Sequence, residues 1–495
     1  MAKSDKLLDL IHTLSMSEKR YFKVFAQRHV TDGGTQYEKL FELACELDTG
    51  DFHIFERAVD AAGISTAYLA ADKNYLYQLL MRALGNFHSG RNISMQVKEW
   101  LHQIEILFDK GLYDQCLTLT KKARQQAEKH DLYALLMEIS LWERKVLGES
   151  DDVSAIKNSH SQVLNHLGLM DNMHAFMLLY YQLLELEQEL ESEPEEVRFE
   201  RLQKFIQHPF LSSESVPLSF HARRHYWMIY ALHDRLLKDK AKELVATERL
   251  ILIMDSSAPY REESPYDYVE VYNRLLNLKL YGGSPDFEEW LNFYREFPTK
   301  LKKAPRNVEA RVAIDTHLFE IPWFIQQGKL DEAKGAIGDL KKDMSIYRRQ
   351  VTTVQSLEGI FWEAAYFQAC RRYSDCIHAL TPLMNEYPDD EHPDLQLFGR
   401  ILAMMAHYLR ENYTVLPYLA DSSLRLVSKH KQRFGMEAWV IRQLRRLGKV
   451  EFRGESYAKR IFKGIIQDWE GKEIENPGSR LQEYLDIRSW ISGLM

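Results

Sequence analysis

The chain is poor in cysteine. Four occur among 495 residues, Cys45, Cys116, Cys370 and Cys376, and no two of them form a C-x-x-C pair. A disulfide framework has nothing to build on, so thiols packed in a core and kept in a reducing compartment are the expectation. Long apolar runs are missing too: no stretch approaches the ~18 residues a membrane span requires. The opening Met-Ala-Lys-Ser-Asp-Lys is charged and leads into an amphipathic helix instead of an apolar signal segment. These absences point to a cytoplasmic protein with no membrane partner. No P-loop, no G-x-G-x-x-G and no G-x-S-x-G occurs, which leaves phosphate cradles and serine nucleophile elbows without support. The expectation is a non-enzyme that uses no cofactor. An excess of basic charge is also lacking, since 64 Lys and Arg stand against 72 Asp and Glu for a net −8. That argues against a dedicated nucleic-acid binder.

What the chain has in abundance is apolar spacing near 3.6. Its 45% hydrophobic and 27% charged residues are those of a folded chain, well away from disorder. From Trp100 to Lys129 two helices fold back around Lys110-Gly111-Leu112-Tyr113-Asp114: Trp100, Ile104, Leu107 and Phe108 make one stripe, and 117–123 begins the next. A lone pair of helices cannot bury both apolar faces, so it needs neighbours on either side. The frame returns at Phe324, Gly328, Leu330 and Ala333, and at Ala364, Phe367, Tyr373, Cys376, Leu383 and Pro388. A fainter copy lies at Tyr413 and Leu416.

In the first unit Trp100, Leu107, Gly111, Tyr113, Cys116 and Ala123 occupy aromatic, glycine and small-residue positions that resemble a tetratricopeptide repeat. Gln103 and Ile104 depart from its Leu-Gly pair, and Glu128 from its terminal proline. The resemblance implies an all-α solenoid of stacked antiparallel helix pairs. Anchors at 333, 376 and 416 set the pitch near 40 residues, longer than the ~34 of the standard repeat. The carboxylate clamp of peptide-binding members needs a lysine and an asparagine where Leu101 and Glu105 stand, so that clamp is absent.

Three regions follow: an N-terminal helical cap over 1–90, repeats over 91–432 and capping helices over 433–495. In the first, Leu7, Leu8, Ile11 and Leu14 mark one helix, and Ser15 with Glu18 is a capping box opening the next, which carries Tyr21, Phe22 and Phe25 inward. Asp32-Gly33-Gly34 reads as a turn, and 37–47 and 75–87 are again amphipathic. A helix-turn-helix has no basic recognition face here. Helix pairs continue at 132–146 with 153–167, 175–190 with 197–206, 220–237 with 241–254, and 266–280 with 287–297. Pro322 and Pro382 fall inside predicted helices, where the lost donor predicts a kink or a break. The last helices are expected over 434–447, 455–469 and 479–491.

Ser17 to Arg20 followed by Tyr21-Phe22-Lys23, the run Asn74-Tyr75-Leu76-Tyr77, His208-Pro209-Phe210, and Pro217 to Ala222 resemble a family of bacterial helical-repeat proteins common in the Bacteroidetes. That resemblance implies the same fold and a cytoplasmic home. It brings no activity and no site residues.

Chemistry-bearing patterns are sparse. His221 and His225 share a helical face at i, i+4 as a zinc pair requires, yet Ala222 stands where the protease motif needs glutamate and no third ligand is evident. The acidic series Glu185, Glu187, Glu189, Glu191, Glu193, Glu195 and Glu196 reads as a solvated face. One asymmetry remains: 421–463 holds 12 Lys or Arg against 4 acids, +8 in a chain of net −8. Arg442, Arg445, Arg446 and Lys449 at i, i+3, i+4 and i+7 are the candidate contacts for an anionic partner, with Trp439, Val440 and Leu447 assigned to the core. The function expected is a protein-interaction scaffold or adaptor with a protein or peptide partner. The alternative is a nucleic-acid-binding or regulatory protein using the basic face.

Overall fold

The computed structural model describes residues 5–29, 34–47, 52–88, 93–149, 153–190, 193–388, 392–430, 434–475 and 479–495. Among them no strand occurs, and every regular element is a helix packed on neighbouring helices. No helix of the described residues is long and apolar enough to cross a membrane. Two compact units emerge, Met1–Asp171 and Asn172–Met495. Their division falls inside the stretch read from the sequence as repeats.

In the first unit the capping box at Ser15 forms as its residues dictate. The Ser15 amide donates to Glu18 Oε2 (2.7 Å) and the Glu18 amide to Ser15 Oγ (3.3 Å), satisfying two donors at the start of helix Met16–His29. Leu8, Ile11, Phe22, Phe41, Phe55 and Leu80 close a core among the first five helices. Of the expected turn Asp32-Gly33-Gly34, only Gly34 lies among the described residues, opening helix Gly34–Glu46. Helices Ile93–Asp109, Tyr113–Lys129 and Tyr133–Gly148 then pack in succession, and the first also touches the third. Cys116 is fully buried where the first two approach, its thiol donating to the Ile104 carbonyl at 3.6 Å. Only a small side chain fits such a contact.

One sequence expectation fails after this point. Residues 153–167 and 175–190 were expected as two helices, but a single helix, Val153–Leu190, runs through both. The intervening stretch holds Gly168 and no proline; a lone glycine costs about 1 kcal/mol and leaves every backbone donor in place, too little to stop a helix held by packing.

The second unit repeats one packing rule. Helix Phe220–Leu236 packs on Lys240–Asp255, Arg306–Gln326 on Leu330–Ile346, Thr353–Ala369 on Tyr373–Asn385, and Pro393–Leu409 on Leu416–Lys429. The leading helices also touch one another: Pro265–Tyr281 packs on Arg306–Gln326, that on Thr353–Ala369, that on Pro393–Leu409, and that on Gly435–Leu447. The turn within each pair has a common cause. A residue with positive φ stands at Lys238, Gly328, Arg371 and Glu411 in these four, and at Gly283 between Pro265–Tyr281 and Phe287–Glu296, which also pack together. The following amide then reaches back to the carbonyl five residues before it, as Arg372 does to Phe367 at 2.8 Å and Lys329 to Phe324 at 2.9 Å. This αL closure satisfies the carbonyls a helix end leaves open. Glycine serves it at two positions, and Lys238, Arg371 and Glu411 accept the strain.

The prolines decide the break half of a second expectation, which was a kink or a break. Pro322 and Pro382 lie inside the helices Arg306–Gln326 and Tyr373–Asn385, and neither breaks its helix. Pro322 is itself buried, so surrounding contacts outweigh the lost hydrogen bond. A further correction lies in the last described helices. Instead of one helix over 479–491 there are two short ones, Leu481–Tyr484 and Ile487–Ser492, separated where Leu485 turns extended and Asp486 caps the second by accepting from the Ser489 amide at 3.0 Å.

Candidate functional site

One cluster of polar and charged side chains in the second unit is centred on the buried Asp315. Arg311 and Asp315 lie one turn apart on helix Arg306–Gln326, and the Arg311 Nε is 2.6 Å from Asp315 Oδ2. The same carboxylate accepts from Asn273 Nδ2 (2.6 Å), Gln355 Nε2 (2.7 Å) and the Tyr294 hydroxyl (3.3 Å). Asp315, Asn273, Gln355 and Tyr294 are all buried. Desolvation pushes the Asp315 carboxyl above its ordinary value, against the pull of Arg311 and the three donors. Gln355 serves twice: its side-chain carbonyl accepts from the Thr352 amide at 3.0 Å in a capping box, while its amide nitrogen turns to Asp315.

One turn beyond Gln355 stands Glu358, and over it lies the C-terminal segment 479–495. The Tyr484 hydroxyl donates to Glu358 Oε1 at 2.8 Å. The Tyr484 ring, 7% exposed, stacks on Trp362 (5.4 Å, 14°) and Phe398 (4.9 Å, 30°), meets Phe361 edge-on at 5.3 Å, and faces Tyr281 at 6.5 Å. Arg480 lies over the same ring, donates to the Tyr484 oxygen at 3.2 Å and to Glu483 at 3.0 Å, and stands 3.7 Å from Asp394. Ser479 donates to Glu437 at 2.6 Å, and Lys240 reaches Glu483 at 3.2 Å. Side chains from five helices, spread from residue 240 to residue 437, therefore converge on one helical turn. Desolvation raises the Glu358 carboxyl from 4.5 to about 7, and the nearby Asp315 adds to the rise.

The basic residues expected at the surface are there. Arg442, Arg445 and Arg446 are exposed on helix Gly435–Leu447, and Lys449 is exposed just past its end, with Trp439, Val440 and Leu447 buried on the other side. Arg445 spends its guanidinium on Asp421 (2.8 and 3.2 Å) and Arg446 donates to Gln443 at 2.7 Å. Arg425, Lys459, Arg460 and Lys463 are exposed on helices Leu416–Lys429 and Glu455–Glu475, while Lys431 and Arg433 lie outside the described residues. Two exposed rings belong to the same stretch, Tyr418 at 78% and Phe452 at 83%.

The histidine pair resolves into packing. His225 is buried with Nδ1 2.8 Å from the His221 carbonyl oxygen and its ring against Tyr180, and desolvation drives it down to about 4. Among the described residues no group of three His, Cys, Asp or Glu could hold a metal ion. In the acidic series Glu187 pairs with Arg235 at 3.2 Å and Glu189 pairs with Arg201, while Glu191 lies outside the described residues.

Sequence reasoning missed Asp315, Glu358, Arg480 and Tyr484. Their signal was faint: Arg311 with Asp315 and Gln355 with Glu358 are polar residues on mixed amphipathic helices, and nothing in the local pattern links them to residues beyond 479. Comparison with protein-family models, curated proteins and solved structures finds no match for the chain.

Proposed function

We propose that the protein is a non-catalytic interaction scaffold, built in its second unit as a tetratricopeptide-like solenoid of helix pairs at a pitch of about 40 residues. The αL turns at 238, 283, 328, 371 and 411 and the contacts between successive leading helices support that architecture. A cytoplasmic home with a protein or peptide partner completes the reading. The observation that carries it is the seat of Tyr484, where five helices present side chains to a single short segment, as a groove does to a peptide. Catalysis has little to work with at this seat, because the perturbed carboxyls are spent on hydrogen bonds, Asp315 on Asn273, Gln355 and Tyr294 and Glu358 on Tyr484.

The test is affinity capture from native cytoplasm with mass spectrometry, followed by calorimetry with the purified partner. Wild type is compared with Glu358→Lys and with the quadruple change of Arg442, Arg445, Arg446 and Lys449 to Glu. The scaffold reading expects a stoichiometric partner that Glu358→Lys loses and the quadruple variant keeps. No partner, or equal capture by both variants, would overturn it.

A second reading has its own observation. The exposed basic residues of 421–463 stand in a stretch with the exposed rings of Tyr418 and Phe452, the combination a nucleic-acid surface uses for phosphates and stacked bases. Loss of RNA retention at low salt in the quadruple variant, with Glu358→Lys unaffected, would favour it.

A further inference from the structure

We propose that segment 479–495 is an exchangeable occupant of its seat, and that the seat receives in its place a partner segment presenting an arginine and a tyrosine one helical turn apart. This rests on the scaffold reading and names the chemistry of the partner. The contacts on the seat's side define what fits. Glu358 accepts the phenol at 2.8 Å, Trp362 and Phe398 stack on its ring, and Asp394 faces the guanidinium at 3.7 Å. Leu481 and Leu485 follow the same turn into the core with Leu357, Phe361 and Phe398. Lysine would supply the charge without the planar group that lies over the tyrosine ring, and phenylalanine would leave Glu358 without its donor.

Exchange follows from how the segment is held. Its helices, Leu481–Tyr484 and Ile487–Ser492, are four and six residues long, too short to persist without the seat. Burial of Leu481, Tyr484, Leu485, Ile487 and Ile491 is set against the entropy of ordering the whole segment, so docking is a close balance. A permanent joint would be firmer if apolar, because a desolvated carboxylate held by a tyrosine costs more than a packed leucine. Such a polar seat discriminates instead: an occupant lacking the phenol leaves Glu358 unsatisfied. Arg480 is paired within its own turn through Glu483, so an incoming segment that carries its own acid after the arginine brings the charge balance with it.

The test uses full-length protein and a fluorescent synthetic peptide of the sequence 479–495, read by anisotropy. The double variant Arg480→Ala, Tyr484→Ala, which weakens the resident segment, is expected to bind the peptide at least tenfold more tightly than wild type. Replacing the arginine and tyrosine of the peptide by alanine, or adding Glu358→Gln to the protein, should each remove at least tenfold. A folded double variant that binds no peptide, or that binds the substituted peptide equally well, overturns the proposal. Tyr484→Phe, which keeps the ring, replaces the double variant if circular dichroism shows that one unfolded. Hydrogen exchange of wild type supplies an independent readout, with 479–495 expected to exchange faster than helix Thr353–Ala369; equal protection also overturns it. If the peptide fails while Glu358→Lys still abolishes capture of the native partner, the arginine-tyrosine assignment falls and the scaffold reading stands. Failure of both removes the seat from function.

Discussion

The second unit carries two clusters of charge that differ in their solvent. Around Asp315 and Glu358, charges and their partners are buried or half-buried between helices, and the carboxylates are held by named donors, Asn273, Tyr294 and Gln355 on Asp315 and Tyr484 on Glu358. On helix Gly435–Leu447 and the turn after it, Arg442, Arg445, Arg446 and Lys449 face water, with one guanidinium spent on Asp421. The surface cluster is larger by count and visible in the composition of 421–463. The buried one is smaller and physically more consequential, since a charge out of water must be paired or neutralised while one in water is screened. Counting charges along a chain therefore ranks these two in the wrong order for stability.

The sharpest way to test that ranking is to remove Asp315. Asp315→Ala strands Arg311, Asn273, Gln355 and Tyr294 without their common acceptor and should cost about 3–5 kcal/mol in urea denaturation. A loss below 1 kcal/mol would mean water replaces the carboxylate and the cluster is less enclosed than its geometry shows. Next is Tyr484→Ala, expected to weaken the docking of 479–495 by about 3 kcal/mol through lost stacking and a stranded Glu358, with Tyr484→Phe weakening it by about 1 kcal/mol for the hydrogen bond alone, both read as faster hydrogen exchange of that segment.

The same site should leave a signature in pH. Glu358 has a folded-state value near 7 against 4.5 unfolded, so the folded protein holds the extra proton between those limits. Its contribution is complete below about 4.5 and is lost as pH rises through about 7, so stability should fall across that window by about 3 kcal/mol. Glu358→Gln should flatten the slope, and a slope that persists in the variant would assign it to other groups. Cys116→Phe moves to a contact without charge: overpacking of its close approach to Ile104 should cost about 1–3 kcal/mol in thermal melts. An unchanged melting temperature would show that the contact can open. The smallest effect belongs to the exposed cluster, where the quadruple change to Glu should shift stability by only about 0.5 kcal/mol and leave the far-UV dichroism intact. A larger shift would show that the surface pairs, Arg445 with Asp421 foremost, support the fold.

Much of the local structure was legible. The Ser15 and Glu18 box, the turn glycines Gly111 and Gly328, the burial of Cys116 and the outward side of helix Gly435–Leu447 all follow from spacing and side-chain chemistry, because each depends on residues within one or two turns. Lys238, Arg371 and Glu411 were not legible as positive-φ residues, although the spacing placed a connection at 238–240. No side chain signals that a lysine, an arginine or a glutamate will take positive φ, and the backbone takes it there because the next helix must return onto its partner. Whether Pro322 would break its helix was open for a related reason: a lost hydrogen bond is a local cost, and the contacts that outweigh it come from elsewhere in the chain.

The candidate site divides along the same line. Arg442 to Lys449 needed only a helical period to be placed on one side. Joining Glu358 to Tyr484 needed the chain to bring together residues 126 apart, with Asp394 and Glu437 arriving from two further helices. By itself the sequence determined the helices, the side each one buries and the small residues at close approaches, since these are set by periodicity and volume over a few turns. Only the tertiary structure decided which polar residues lose their water and which segment covers them, because desolvation is a property of everything packed around a group and not of its neighbours in the chain.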